Sequence, residues 1–112
     1  MAERSSNLLL FDILESIHNI REYTTGMNFE QFIGDKKTLD AVLRNIQIIG
    51  EAAKRVPQDV KAAHPEIEWM RIIRSRHILV HDYFGVDYEI VWRIIEVHLL
   101  PLETAISAMV RE

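Results

Sequence analysis

The stretch Arg74-Ser75-Arg76-His77-Ile78-Leu79-Val80-His81-Asp82-Tyr83-Phe84-Gly85 gathers cations, imidazoles and a phenol as no other part of the chain does. Arginine stays protonated and offers a planar fork of donors that matches a phosphate. Histidine titrates near neutrality, so it can take and return a proton. Arg76 and His81 together therefore supply what metal-free RNA cleavage needs. The imidazole removes a 2′-hydroxyl proton, and the freed oxygen attacks the adjacent phosphorus. The arginine stabilises the charge that builds on the phosphoryl oxygens. A cyclic 2′,3′-phosphate is the expected product.

Each of these residues also has a plainer use. An arginine on a helix is often a solvated charge or a carboxylate's partner, and Asp82, Glu66 and Glu68 lie close in sequence. Tyr83 followed by Phe84 can close a core with its hydroxyl at the surface. On composition and spacing alone these plainer uses have the stronger claim. His18, His64 and His98 stay with them: His64 precedes a turn proline and His98 sits on a helical stripe.

Helical geometry constrains the site. Arg76 and Tyr83 are seven apart and differ by roughly 20° around a helix axis, whereas Arg76 and His81 differ by roughly 140°. His77 and His81 share another face. One ideal helix does not aim all these groups at one spot. Either the helix changes course before Gly85, or a second copy of the chain completes the site across a two-fold interface.

The elements that must position the stretch are helical. Leu10, Ile13, Leu14, Ile17 and Ile20 make one apolar face of a first helix from near Arg4 to Tyr23. Gly26 closes it. Asn28 to Phe32 read as one short turn with Phe29 and Phe32 inward. Asp35 is an N-cap for a long second helix to about Arg55, with Leu39, Val42, Leu43, Ile46, Ile49 and Ala53 as its stripe. Gly50, Ala52 and Ala53 are small enough to let a neighbouring helix come close. Pro57 ends that helix, and Gln58 to Ala63 form another short turn. A third long helix starts near Glu68 or Trp69 and carries the focal stretch to Phe84-Gly85. Asp87 caps a last helix that keeps its rhythm through Ile90, Val91, Ile94, Ile95, His98, Leu102, Ile106 and Met109. Pro101 is expected to kink or loosen it. No useful length alternates apolar and polar residues, so the expected fold is all-α: a bundle of four main helices with short extra turns.

The 112 residues bound one domain, 1–112, with a modest core, and for a domain this small an oligomer is unsurprising. A net charge of −4 does not mark a general nucleic-acid binder, so any such function rests on a local patch. The absence of cysteine removes thiolate metal sites and cysteine nucleophiles and fits a reducing cytoplasm. Asp12 and Glu15 interrupt the apolar run Leu8 to Phe11, unlike a signal peptide, and no run approaches a membrane span. A cytoplasmic protein is expected. His77 and His81 have helical metal-pair spacing, but no third ligand is indicated and no metal or cofactor is expected. Neither a glycine-rich phosphate loop nor an activated serine is present.

The sequence Arg76-x4-His81-x-Tyr83 resembles the R-x4-H-x-Y signature of the HEPN superfamily, specifically its HepT-like (DUF86) toxins. The likeness extends over Asp12-Ile13-Leu14-Glu15, Tyr23-Thr24-Thr25-Gly26-Met27 and Asp40 to Asn45. It continues through Ile49 to Ala53, His64-Pro65-Glu66-Ile67, Trp69, Phe84 to Asp87, Val91-Trp92 and Leu100-Pro101.

That resemblance implies a helical HEPN bundle, a homodimer with the motif at the cleft between subunits, and a metal-independent endoribonuclease. It assigns the catalytic roles to Arg76 and His81. The family prefers a polar residue, often Asn, where His77 stands, which makes His77 a second hydrogen-bonding or acid-base group. Arg74 is the reserve phosphate-binding arginine, because the wider superfamily also admits its spacing to His81. The implied partners are the RNA substrate and a minimal nucleotidyltransferase antitoxin that transfers AMP onto the motif tyrosine, here Tyr83. The alternative is a non-catalytic HEPN module that binds a nucleotide or its partner.

Overall fold

The computed structural model describes residues 4–76 and 86–110. Every regular element among them is helical. In chain order they are α1 (Ser6–Thr24), α2 (Phe29–Ile33), α3 (Lys36–Arg55), α4 (Gln58–Ala63), α5 (Trp69–Ser75), α6 (Tyr88–Arg93), a π-helical turn (Ile94–His98) and α7 (Leu99–Val110).

Local chemistry sets most of the boundaries. The Ser5 side chain accepts from the Leu8 amide, and Gly26 follows α1 with φ of 76°, a left-handed conformation that costs other residues steric strain. Asn28 and Gln31 form a reciprocal capping box on α2. Asp35 accepts from the Thr38 amide at the start of α3, and Asp87 accepts from the amides of Glu89 and Ile90 at the start of α6. Both acidic caps stand where they were expected.

The core is built on α1 against α3. Leu9, Leu10, Ile13, Ile17 and Ile20 of α1 meet Leu39, Val42, Ile46, Ile49 and Ala53 of α3, all buried. Leu14 and Leu43 are only partly buried at the edge of this seam. An Asn19–Asn45 hydrogen bond of 3.2 Å crosses it, and Asn45 also donates to the Ala41 carbonyl at 2.8 Å, so the polar pair is satisfied. Phe32 of α2 is fully buried and lies 5.0 Å from the Trp92 ring, tying the short helix to α6. Ile106 and Met109 bring α7 into the same cluster.

The last helix differs from a uniform one. Between α6 and α7 the Leu99 amide bonds to the Ile94 carbonyl, five residues back. Pro101 follows directly. Its ring crowds the carbonyl four residues earlier and it has no amide to donate, so the chain loosens upstream. The expected irregularity at Pro101 is thus a one-residue insertion in the helical ladder.

Candidate active site

Helix α5 is short in the described residues, and its start is anchored from outside the helix. The Trp69 indole donates to the His64 carbonyl at 3.1 Å, and Trp69 is buried with Ile67. His64 also faces Glu66 at 3.0 Å. Backbone and His64 hydrogen bonding hold the Glu66 carboxyl below its ordinary value. The 64–69 corner thereby sets the direction in which α5 leaves.

The direction matters because α5 crosses α3 at Gly50. A methyl group built on Gly50 would lie 3.2 Å from the Arg76 Cβ and 3.3 Å from the Ile72 carbonyl oxygen. Gly50 therefore serves as expected, as a notch for the neighbouring helix. Arg76 sits in that notch with its side chain 19% exposed. Its Nη1 lies 3.7 Å from Glu51 Oε1, an ion pair too long for a hydrogen bond. Glu51 is itself well exposed, so the pair contributes at most about 1 kcal/mol. Among the described residues the carboxylates close in sequence are engaged elsewhere: Glu68 bonds Arg71 at 2.9 Å and Glu66 pairs with His64. Arg76's partner among the described residues comes instead from α3.

Arg74, two positions earlier, projects roughly 200° away around the axis. It lines a cavity of about 590 Å³ between α5, α3 and the last helix. The floor is apolar, with Ile46, Ile49, Ile72 and Leu102, and the polar wall holds Arg71, Arg74, Arg93, Glu66, Glu68 and His98. Arg71 Nη2 lies 3.4 Å from His98 Nε2. Burial, then Arg71 and Arg93, hold the His98 imidazole below its ordinary value, which favours its neutral form. The structure thus separates the two candidate arginines: Arg76 belongs to the α3 notch and Arg74 to the cavity.

His77, His81 and Tyr83 lie outside the described residues. Arg71, Arg93 and His98 were not singled out from the sequence. Regular helical spacing leaves Arg93 and His98 roughly 140° apart. The π turn winds more slowly, which narrows that angle, and both residues line the cavity wall. The one sequence signal for this was Pro101. Among the described residues no three His, Asp or Glu side chains are grouped to hold a metal ion, and no helix is long and apolar enough to cross a membrane.

The all-helical bundle and the Arg76-x4-His81-x-Tyr83 spacing are consistent with a HEPN-type protein. The chain belongs to the ribonuclease HepT-like family, whose match spans residues 13–109. It is 47% identical over 94 residues to a Thermococcus cleftensis protein named "Probable ribonuclease HepT", covering 84% of this chain and 86% of that one. It is 41% identical over 95 residues to "Putative RNase MJ0127" of Methanocaldococcus jannaschii, covering 85% of this chain and 78% of the other. No solved structure matches the chain. The family and these names support an RNase-type function.

Proposed function

We propose that the chain is a toxin-type, metal-independent endoribonuclease that acts as a homodimer. Arg76 holds the scissile phosphate and stabilises its charge as the 2′-oxygen attacks. His81 is the base that takes the 2′-hydroxyl proton. His77 and Arg74 add hydrogen-bonding and phosphate contacts nearby. The observation that carries this reading is the seat of Arg76. It is held by packing in the Gly50 notch, and its ion-pair partner among the described residues is a loose carboxylate, so a phosphate competes readily for its donor fork. The same arginine stands first in the R-x4-H-x-Y spacing of a chain that belongs to the ribonuclease HepT-like family.

Regulation follows from Tyr83. A nucleotidyltransferase antitoxin transfers AMP from ATP to its phenolic oxygen, and pyrophosphate leaves. The adenylate sets bulk and negative charge beside Arg76 and closes the site.

The test is RNA cleavage by the purified chain with excess chelator. Cleavage is expected to persist and to vanish in Arg76→Ala and His81→Ala proteins of unchanged oligomeric mass. Full cleavage in both variants would sink the catalytic assignment. With the partner and ATP, the wild-type chain gains the mass of AMP, and Tyr83→Phe does not. Equal modification of the Phe variant would remove Tyr83 as the acceptor.

A further inference from the structure

We propose that the cavity on the Arg74 side of α5 is a nucleotide subsite, taking one unit of the RNA strand beyond the scissile phosphate. The base lies on the apolar floor of Ile46, Ile49 and Leu102, and the phosphate sits between Arg71 and Arg93. The proposal rests on reading the chain as an RNA-cleaving enzyme.

Three observations support it. The cavity has the size of a small-molecule site, about 590 Å³, and its walls are mostly apolar with a few convergent polar groups. Its charge runs against that of the chain, which is −4 overall. Three arginines line it, and its two carboxylates already have other partners: Glu68 holds Arg71, and Glu66 faces His64. Arg93 has no ion pair among the described residues, and the Glu68 that holds Arg71 is well exposed, so an anion between the two arginines meets one unpaired cation and one whose surface partner it can displace. Third, the helix departs from regularity where the wall needs it. The π turn brings His98 round to the side of Arg93 and within 3.4 Å of Arg71. Insertions of this kind occur often at functional sites because they re-aim a side chain at the expense of regular bonding.

The chemistry of the wall selects a nucleotide over a bare anion. Neutral His98 accepts from Arg71 and keeps its other ring nitrogen as a donor for a base or ribose oxygen. The isoleucine and leucine floor gives nothing to an inorganic ion but covers one face of a base. Arg74 lines the cavity two positions before Arg76, the residue that caps α5, which places the subsite one helix face away from the reacting phosphate.

The test uses the full-length His81→Ala chain, which holds RNA without cutting it, and a fluorescent 12-nucleotide single-stranded RNA. Adding Arg71→Gln or Arg93→Gln is expected to weaken binding about tenfold each, the cost of one charged hydrogen-bonded contact. The slope of log affinity against log salt is expected to fall by about 0.7 for each phosphate contact removed. Ala105→Phe fills the cavity without altering charge and is expected to weaken the same complex, while 5′-AMP competes with the RNA in the parent chain.

Unchanged affinity and salt slope in both arginine variants would overturn the subsite. So would an altered oligomeric mass in those variants with RNA affinity intact, because the cavity would then be an interface between copies. Loss of RNA binding in the variants of a chain whose wild type cuts no RNA would support the subsite and count against the nuclease reading. Normal cutting by wild type, with both arginine variants binding as the parent does, would remove the subsite alone.

Discussion

The two faces of α5 are held in opposite ways. On one, Arg76 is packed into a notch in α3, with Gly50 beneath it and Glu51 at 3.7 Å. On the other, Arg74 looks into an open cavity whose wall is made by residues from three parts of the chain. The packed face fixes one cation in place, as transition-state stabilisation requires, because a preorganised donor does not reorganise during reaction. The open face spreads several cations around an apolar floor, which suits holding a flexible strand. On the proposed reading, a chain with net charge −4 confines its affinity for phosphate to one short helix and the elements against it.

The largest test of this contrast is the pair of arginines. Arg76→Ala is expected to lower the rate of RNA cleavage by about 10²- to 10³-fold. Arg74→Ala is expected to lower kcat/KM by about tenfold or less, mainly through KM. Equal losses would erase the division between the faces. Gly50→Leu should act through the notch alone. Its side chain has to displace Arg76 and the Ile72 carbonyl, at a cost of about 1–3 kcal/mol in denaturant unfolding and with most of the cleavage lost. A Gly50→Leu chain with normal cleavage would show that the crossing does not position Arg76.

The smallest expected effect is on the open face and depends on pH. The folded state holds His98 below the ordinary imidazole value of 6.5, by burial and by Arg71 and Arg93. Below that pH the unfolded chain binds a proton that the folded chain resists. Stability is therefore full above it and falls as pH drops through it. His98→Gln is expected to flatten this part of the unfolding-stability profile. The acid limb governed by Glu66 should remain, because its depressed carboxyl contributes above the ordinary value of 4.5 and is lost below it. An unchanged profile would mean that His98 carries no proton-linked role.

Much of the architecture was legible from short-range signals. Asp35 and Asp87 cap where expected, Gly26 takes the left-handed turn, and Phe32 is buried on its one-turn helix. The glycine and alanines of α3 announced a close neighbour, and Gly50 has one in Arg76. Of the carboxylates close to the focal stretch, Asp82 lies outside the described residues and the other two are not Arg76's partners. Glu66 and Glu68 are bound by His64 and Arg71, and Glu51, remote in sequence, is the one that approaches Arg76. His98 stands on the helical stripe as expected, and with Ile94 and Leu102 of that stripe it lines the cavity.

The sequence by itself determined that the chain is helical, where most helices begin, and which residue types are available for phosphate chemistry. Periodicity, capping and glycine conformation act over one or two turns, so they are readable without a partner. Only the tertiary structure decided which arginine meets α3 and which faces the cavity, because that depends on how α5 crosses a helix some 25 residues away. It also decided that His98 turns toward Arg71: one extra residue in the last helix shifts every later side chain around the axis, and the pattern of apolar residues does not record the shift.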